Sequence, residues 1–147
     1  MKPYRRILFA TDLARSSMPG FREAVALARE SLSELLIAYA YQPPNLIQAQ
    51  SIAPAVYDEW NQNLRQEIGA RLEPLVAEAR EQGVRARPLL IEGSPDEVIA
   101  ETAALEEADL IIMGTHGRTG MSRLIQGSVS AHVIAAAKCP VMTVPVA

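Results

Sequence analysis

The stretch from Asp109 to Ser130 leaves this chain few folds to choose from. It reads Asp-Leu-Ile-Ile-Met, then Gly-Thr-His-Gly-Arg-Thr-Gly-Met-Ser-Arg-Leu-Ile-Gln-Gly-Ser-Val-Ser. A short apolar run of this kind is expected of a strand buried on both faces, which a parallel sheet covered by helices accommodates. Gly114, Gly117 and Gly127 can take backbone angles closed to other residues and let a ligand approach the main chain closely. Ser128 and Ser130 put hydroxyls where the next helical pattern begins, and free N–H groups and the helix dipole at such a terminus favour an anion. The combination suits a polyphosphate. The spacing is not the Gly-x-Gly-x-x-Gly of dinucleotide folds, and no Gly-Lys-Ser/Thr closes it as in a Walker loop. The bland alternative is a long connection that uses glycine only to turn.

The rest of the chain supplies partners for that strand. Arg5 to Thr11 is nearly continuous and apolar and ends at Asp12, as expected of a first parallel strand. From Ser17 to about Leu32, Phe21, Val25, Ala28 and Leu32 recur at helical spacing, with Pro19 in the first turn. Leu35 to Tyr41 reads as a second strand, and Pro43 and Pro44 mark Gln42 to Ala53 as an irregular loop. Pro54 to Gln82 is a long helical pattern with an apolar stripe of Leu64, Ile68, Leu72, Leu75, Val76 and Ala79, which Pro74 is expected to kink or divide. Gly83 closes it and Val84 to Ile91 makes a third strand. Ser94-Pro95-Asp96-Glu97 predicts a helix start with Ser94 as cap and Glu97 completing a capping box. On that helix Val98, Ile99, Ala103 and Leu105 are expected to face the core. Asp109 to Gly114 is the fourth strand, Ser128 to Lys138 the fourth helix and Val141 to Val146 the fifth strand.

Strand and helix alternating in this way imply an α/β fold, a doubly wound five-stranded parallel sheet with helices on both faces and right-handed crossovers. Ligands in such folds sit beyond the carboxyl ends of the strands where the winding reverses. At 147 residues the chain suits one domain, 1–147, able to bury its own core. Its hydrophobic share is 49%, yet no apolar run reaches the ~20 residues of a membrane span and no signal-peptide pattern opens it. No membrane association and a cytoplasmic location are therefore expected. A formal net charge of −3, with scattered basic residues, argues against nucleic acid as a partner. Cys139 has no second cysteine to pair with and reads as a small buried hydrophobe. His116 and His132 stand too far apart, without Cys/His spacing around them, to indicate zinc.

The pattern Gly-x2-Gly-x9-Gly-Ser from Gly114 to Ser128 resembles the ATP-binding signature of the universal stress protein family. The likeness extends along nearly the whole chain: Ile7-Leu-Phe-Ala-Thr-Asp12 is similar to the family's first strand, Glu92-Gly-Ser-Pro95 to its entry into the third helix, and Cys139-Pro-Val-Met-Thr-Val144 to its closing strand. Two departures stand out, Ile37-Ala-Tyr-Ala-Tyr41 where Leu-His-Val is common and Gln126 where an apolar residue is usual. The resemblance implies strand order 3-2-1-4-5, which sets Asp12 and the glycine-rich loop in one crevice. It further implies ATP with Mg2+ as ligand, Asp12 near the ribose, Ala10 and Ala40 at the adenosine, Thr11 among the nucleotide-binding residues, and Gly114, Thr115, His116, Gly117, Arg118, Thr119 and Gly120 along the phosphates. Gly127, Ser128 and Ser130 would complete the cradle, with Val129 also among the nucleotide-binding residues. For Asp12 the competing role is a strand-end carboxylate capping the following turn. Arg118 and Arg123 would either neutralise phosphate charge or do nothing specific. His132 is expected to be a core or surface residue rather than a base.

The resemblance also implies a regulatory protein in which nucleotide occupancy biases a surface seen by an unidentified protein partner, and a homodimer formed through Val141 to Val146. A rival is a slow ATPase or a nucleotidyl-transfer enzyme on the same sheet, against which stands the lack of a Walker lysine and of a carboxylate-rich catalytic motif. A phosphoacceptor receiver domain would need paired acids after the first strand, where Asp12 is instead followed by Leu13.

Overall fold

The computed structural model describes residues 4–43, 51–115 and 129–146. The apolar runs form β1 (Arg6–Ala10), β2 (Glu34–Tyr41), β3 (Arg85–Glu92), β4 (Leu110–Thr115) and β5 (Val141–Pro145). They assemble into one sheet of order β3-β2-β1-β4-β5, in which each neighbouring pair is parallel. β1 is central because it can be covered on both faces and paired on both edges: Ile7, Leu8 and Phe9 are each 0% exposed. Burying a side chain of that size contributes roughly 1.5–3 kcal/mol.

Alternation along each strand sends its residues to two separate cores. Ile7, Phe9, Leu35, Ile37, Tyr41, Leu110 and Ile112 face one side, where α1 (Met18–Ser31) and α2 (Pro54–Glu81) cover them. Leu8, Ala10, Leu36, Ala38, Ile111 and Met113 face the other side, against α3 (Pro95–Leu105) and α4, helical over residues 129–136. The expected doubly wound α/β sheet, with helices on both faces, is therefore present.

Several local expectations change. α2 is one unbroken helix through Pro74. Proline removes one helical hydrogen bond, but Ile68, Leu72, Val76 and Ala79 on either side of it are all buried in the same core, and that shared packing keeps the two halves on one line. Leu105 is 75% exposed rather than in the core. It closes α3 two residues beyond buried Ala103, about 200° further round the helix, so the periodic pattern does not reach it. Ser94 and Pro95 occupy the predicted positions at the start of α3, but no capping box forms: the Ser94 hydroxyl bonds to Asp96 Oδ1 instead. Donation to a charged carboxylate makes a strong bond, and the Ser94 oxygen held by it accepts no N–H from the helix start; the same bond holds the Asp96 carboxyl below its usual range. Cys139 is only half-buried, packed against the core on the α3/α4 face of the sheet. Burial pushes its thiol up from the ordinary value, in keeping with an unreactive packing residue.

The amino-terminal rim of the sheet is fixed by charge. Arg6 Nε lies 2.7 Å from Glu34 Oε1 and Arg87 Nη2 lies 2.8 Å from Glu106 Oε1. Asp109 Oδ2 accepts from Arg5 N at 2.9 Å and its Oδ1 from Arg6 N at 3.1 Å. These contacts tie β1, β2, β3 and the end of α3 together at the end of the sheet away from the strands' carboxyl termini.

Candidate functional site at the carboxyl ends of β1 and β4

β1 pairs with β2 on one side and β4 on the other, so the winding reverses direction between β1 and β4. Beyond the carboxyl ends of these strands lies a cleft of about 290 Å³. The size of the side chains explains where it opens. On the α3/α4 face the strands end in Ala10, Ala38 and Ala40, while the opposite face carries Phe9, Ile37, Tyr39 and Tyr41 at the same level. Methyl groups cannot fill the space that bulkier neighbours fill on the other side, so the sheet and helices enclose a hollow floored by alanine. Ile91, Ile99, Met113, Pro95 and Val129 give it apolar walls.

The polar side chains of the cleft come mainly from the connection between β1 and α1. Thr11 N–H donates to the Ala38 carbonyl at 2.9 Å, extending the sheet by one residue. Leu13 then takes φ +63°, which turns the chain sharply. Asp12 Oδ1 accepts from Ala14 N at 2.9 Å, so its carboxylate does cap the turn while the residue also lines the cleft. The short 3₁₀ turn Arg15–Ser17 follows and leans against the end of β4. A Cβ on Gly114 would stand 3.5 Å from Ser17 Cα, and one on Gly20 would stand 3.1 Å from Phe9 Cε1 and 3.5 Å from Gly114 N. The turn thus packs directly on the backbone of Gly114, at a distance that leaves ordinary van der Waals room for one more carbon, and this contact makes Ser17 part of the cleft wall.

Of the residues expected at the site, Ala10, Thr11, Asp12, Ala40, Gly114 and Val129 line this one cleft, contributed by β1, β2, β4 and α4. Thr115 ends β4 and Ser130, 7% exposed, lies at the start of α4. His116, Gly117, Arg118, Thr119, Gly120, Gly127 and Ser128 lie outside the described residues. Sequence reasoning missed Ser17, Ala38, Tyr39, Ile91, Pro95, Ile99 and Met113. The alternation of alanine with Ile and Tyr in Ile37-Ala-Tyr-Ala-Tyr41 carried the signal for Ala38. Nothing local marks Ser17, whose position depends on the approach of α1 to β4.

A parallel sheet wound in both directions, with an apolar cleft and hydrogen-bonding groups at its switch point, defines the doubly wound α/β class, whose members commonly hold small molecules beyond their strand ends. Comparison narrows the class. The model of the universal stress protein family matches residues 3–145, and the chain belongs to that family. It is similar to Universal stress protein MJ0531 of Methanocaldococcus jannaschii, 32% identical over 141 residues with 96% of this chain and 82% of that one covered. It is also similar to a universal stress protein of Thermus aquaticus, 34% identical over 145 residues with 96% and 98% covered. Among solved structures, MJ0577 superposes with a TM-score of 0.80 at 25% identity, covering 97% of this chain and 96% of that one. A universal stress protein in complex with cAMP does so with a TM-score of 0.74 at 26% identity, covering 99% of both chains.

Proposed function

We propose that this chain, read as a single universal stress protein domain over 1–147, binds ATP with Mg2+ and acts as a nucleotide-dependent regulatory switch. The observation that carries the reading is the alanine-floored cleft at the β1/β4 switch point, which opens beside Gly114 where the Gly-x2-Gly-x9-Gly-Ser segment leaves β4. An apolar slot suits a flat base, Thr11, Asp12 and Ser17 suit a sugar, and a glycine-rich exit with serines at a helix start suits phosphate oxygens. The similar universal stress protein in complex with cAMP supports a nucleotide as the occupant. No group of three His, Cys, Asp or Glu side chains that could hold a metal ion occurs among the described residues. Mg2+ would accordingly arrive on the phosphate oxygens with most of its remaining ligands water, the usual manner of this ion.

In this reading, occupancy of the cleft alters a surface recognised by a protein partner, and the protein works in the cytoplasm as a homodimer joined through β5. That strand is an edge of the sheet, and an unpaired edge favours pairing with a second copy. The test is calorimetry of ATP and Mg2+ on the wild type and on Gly127→Val. The valine places carbon where a phosphate needs open backbone, so binding should weaken by a hundredfold or more, on the order of 3 kcal/mol. Equal affinity in the two proteins overturns the assignment.

A further inference from the structure

The cleft has an inner end as well as a mouth. Ala10 pairs in register with Ala38 on one side and with Met113 on the other, and all three side chains belong to the core on the α3/α4 face. One pleat deeper on that face come Leu8 and Leu36, both 0% exposed. Neither lines the cleft, so the hollow stops at the row of Ala38, Ala10 and Met113. Ala38 is 2% exposed, whereas Ala40, two residues nearer the strand end, is half-buried. Nothing in the row makes a strong hydrogen bond. Main-chain N–H and C=O groups point along the plane of a sheet toward its strands, not off its face. Methyl groups form no hydrogen bond, and the Met113 sulfur is only a weak acceptor. Thr11, Asp12 and Ser17, the polar lining residues, all belong to the connection that follows Ala10, and Tyr39 packs into the opposite core.

We infer that this inner end is a hydrocarbon subsite for one edge of the nucleotide's base: it takes a C–H edge, or a small apolar substituent in its place, and excludes a polar one. The inference rests on the cleft being a nucleotide site and adds which part of the base goes deepest. Most of a purine's rim needs hydrogen bonds, as N7 and the 6-amino group of adenine do. The exceptions are the carbons C2 and C8, at nearly opposite ends of the ring. One of them therefore points at a floor that offers no partner. A polar group carried there loses its water and gains nothing, the penalty of a buried donor left unmet. A chlorine in the same place gives up little on leaving water and gains dispersion contacts with the alanine methyls. Ala10 and Ala38 thus select the base by exclusion, without a hydrogen bond from either side chain.

The experiment measures calorimetric affinities of ATP, its 2-chloro and 2-amino analogues and its 8-chloro and 8-amino analogues for the wild type, Ala38→Ser and Ala10→Ser, with thermal melts to establish folding. At one of the two carbons the wild type should bind the chloro analogue at least as tightly as ATP and the amino analogue about tenfold more weakly, the range of a buried donor left unmet. At the other carbon, which faces away from the floor, chloro and amino should differ by less. Serine adds one hydroxyl to the floor, so Ala38→Ser should bring the chloro-to-amino ratio at the discriminating carbon below about threefold, with the hydroxyl now meeting the amino group. The substituents also change the electronics of the ring, but equally in wild type and variant, so the fall in the ratio reports the floor. A merely structural effect of the serine would lower all five affinities together and leave the ratio alone. If Ala38→Ser does not fold, Ala10→Ser, in the same row, takes its place. The inference is overturned if neither chloro analogue binds as tightly as ATP, if chloro and amino bind alike at both carbons, or if the folded serine variant keeps the full wild-type ratio. If ATP itself does not bind the wild type, the nucleotide reading falls and takes this one with it; ATP binding without discrimination at either carbon removes only the inference about the floor.

Discussion

Replacing Ala40 by leucine should close the cleft while leaving the fold intact. Ala40 is half-buried, pairs in register with Ile91 and lines the hollow beside Ala38 and Ala10. Leucine adds three carbons, and at roughly the 30 Å³ that a water molecule occupies in the liquid for each, they remove near a third of the 290 Å³ present. A ligand body that needs this space must then displace the new side chain or shift, and overpacking of that kind typically costs 1–3 kcal/mol. Nucleotide affinity should fall by about five- to more than a hundredfold. The effect on stability has the opposite sign. The added carbons meet the apolar walls of Ile91 and Ile99 without displacing a packed side chain, and each buried methylene contributes about 0.8 kcal/mol, so the urea midpoint should hold or rise. Calorimetry for ATP and urea denaturation on the same preparation test both halves. A variant that binds ATP as the wild type does, yet unfolds at lower urea, would refute the argument, because it would mean that position 40 belongs to a filled core and not to the wall of an occupied cleft.

Gly93→Ala should destabilise the protein by about 1–3 kcal/mol, since Gly93 has φ +136° and a Cβ there would run into Val98 Cγ1; an unchanged urea midpoint would show that the β3–α3 junction is not constrained. Val144→Lys should weaken self-association at the β5 edge, followed by light scattering across a concentration series, and a wild type that stays monomeric at high concentration excludes the dimer outright. ATP hydrolysis should be slow or absent, because main-chain N–H groups and hydroxyls hold ground and transition states almost equally. Single-turnover rates approaching the roughly 1–100 per second of kinases, lost in His116→Ala, would make the enzymatic reading the correct one.

The sequence determined the elements and much of the floor of the cleft. Apolar runs such as Ile7-Leu-Phe and Leu110-Ile-Ile are strands because only a sheet covered on both faces can bury every residue of such a run, and the helical stripe of Ile68, Leu72, Val76 and Ala79 follows from its spacing alone. Asp12 was legible as a strand-end carboxylate in both of its readings, and the turn-capping bond to Ala14 N is local enough to be expected from residue type. Strand order was not a property of the pattern: nothing in five apolar runs states that the fourth returns beside the first, and the resemblance to a family supplied it. The misplaced Leu105 and the absent capping box have different causes: two residues beyond Ala103 is the far side of the helix, whereas the Ser94 hydroxyl is held by Asp96, a local partner that the motif does not register. The tertiary structure alone decided that Ser17 belongs to the cleft and that its hydroxyl faces that of Thr11. Local pattern records which residues can be buried or turned. Which hydroxyls bond to one another depends on which groups meet across the fold, and here they meet because the turn before α1 packs on the end of β4.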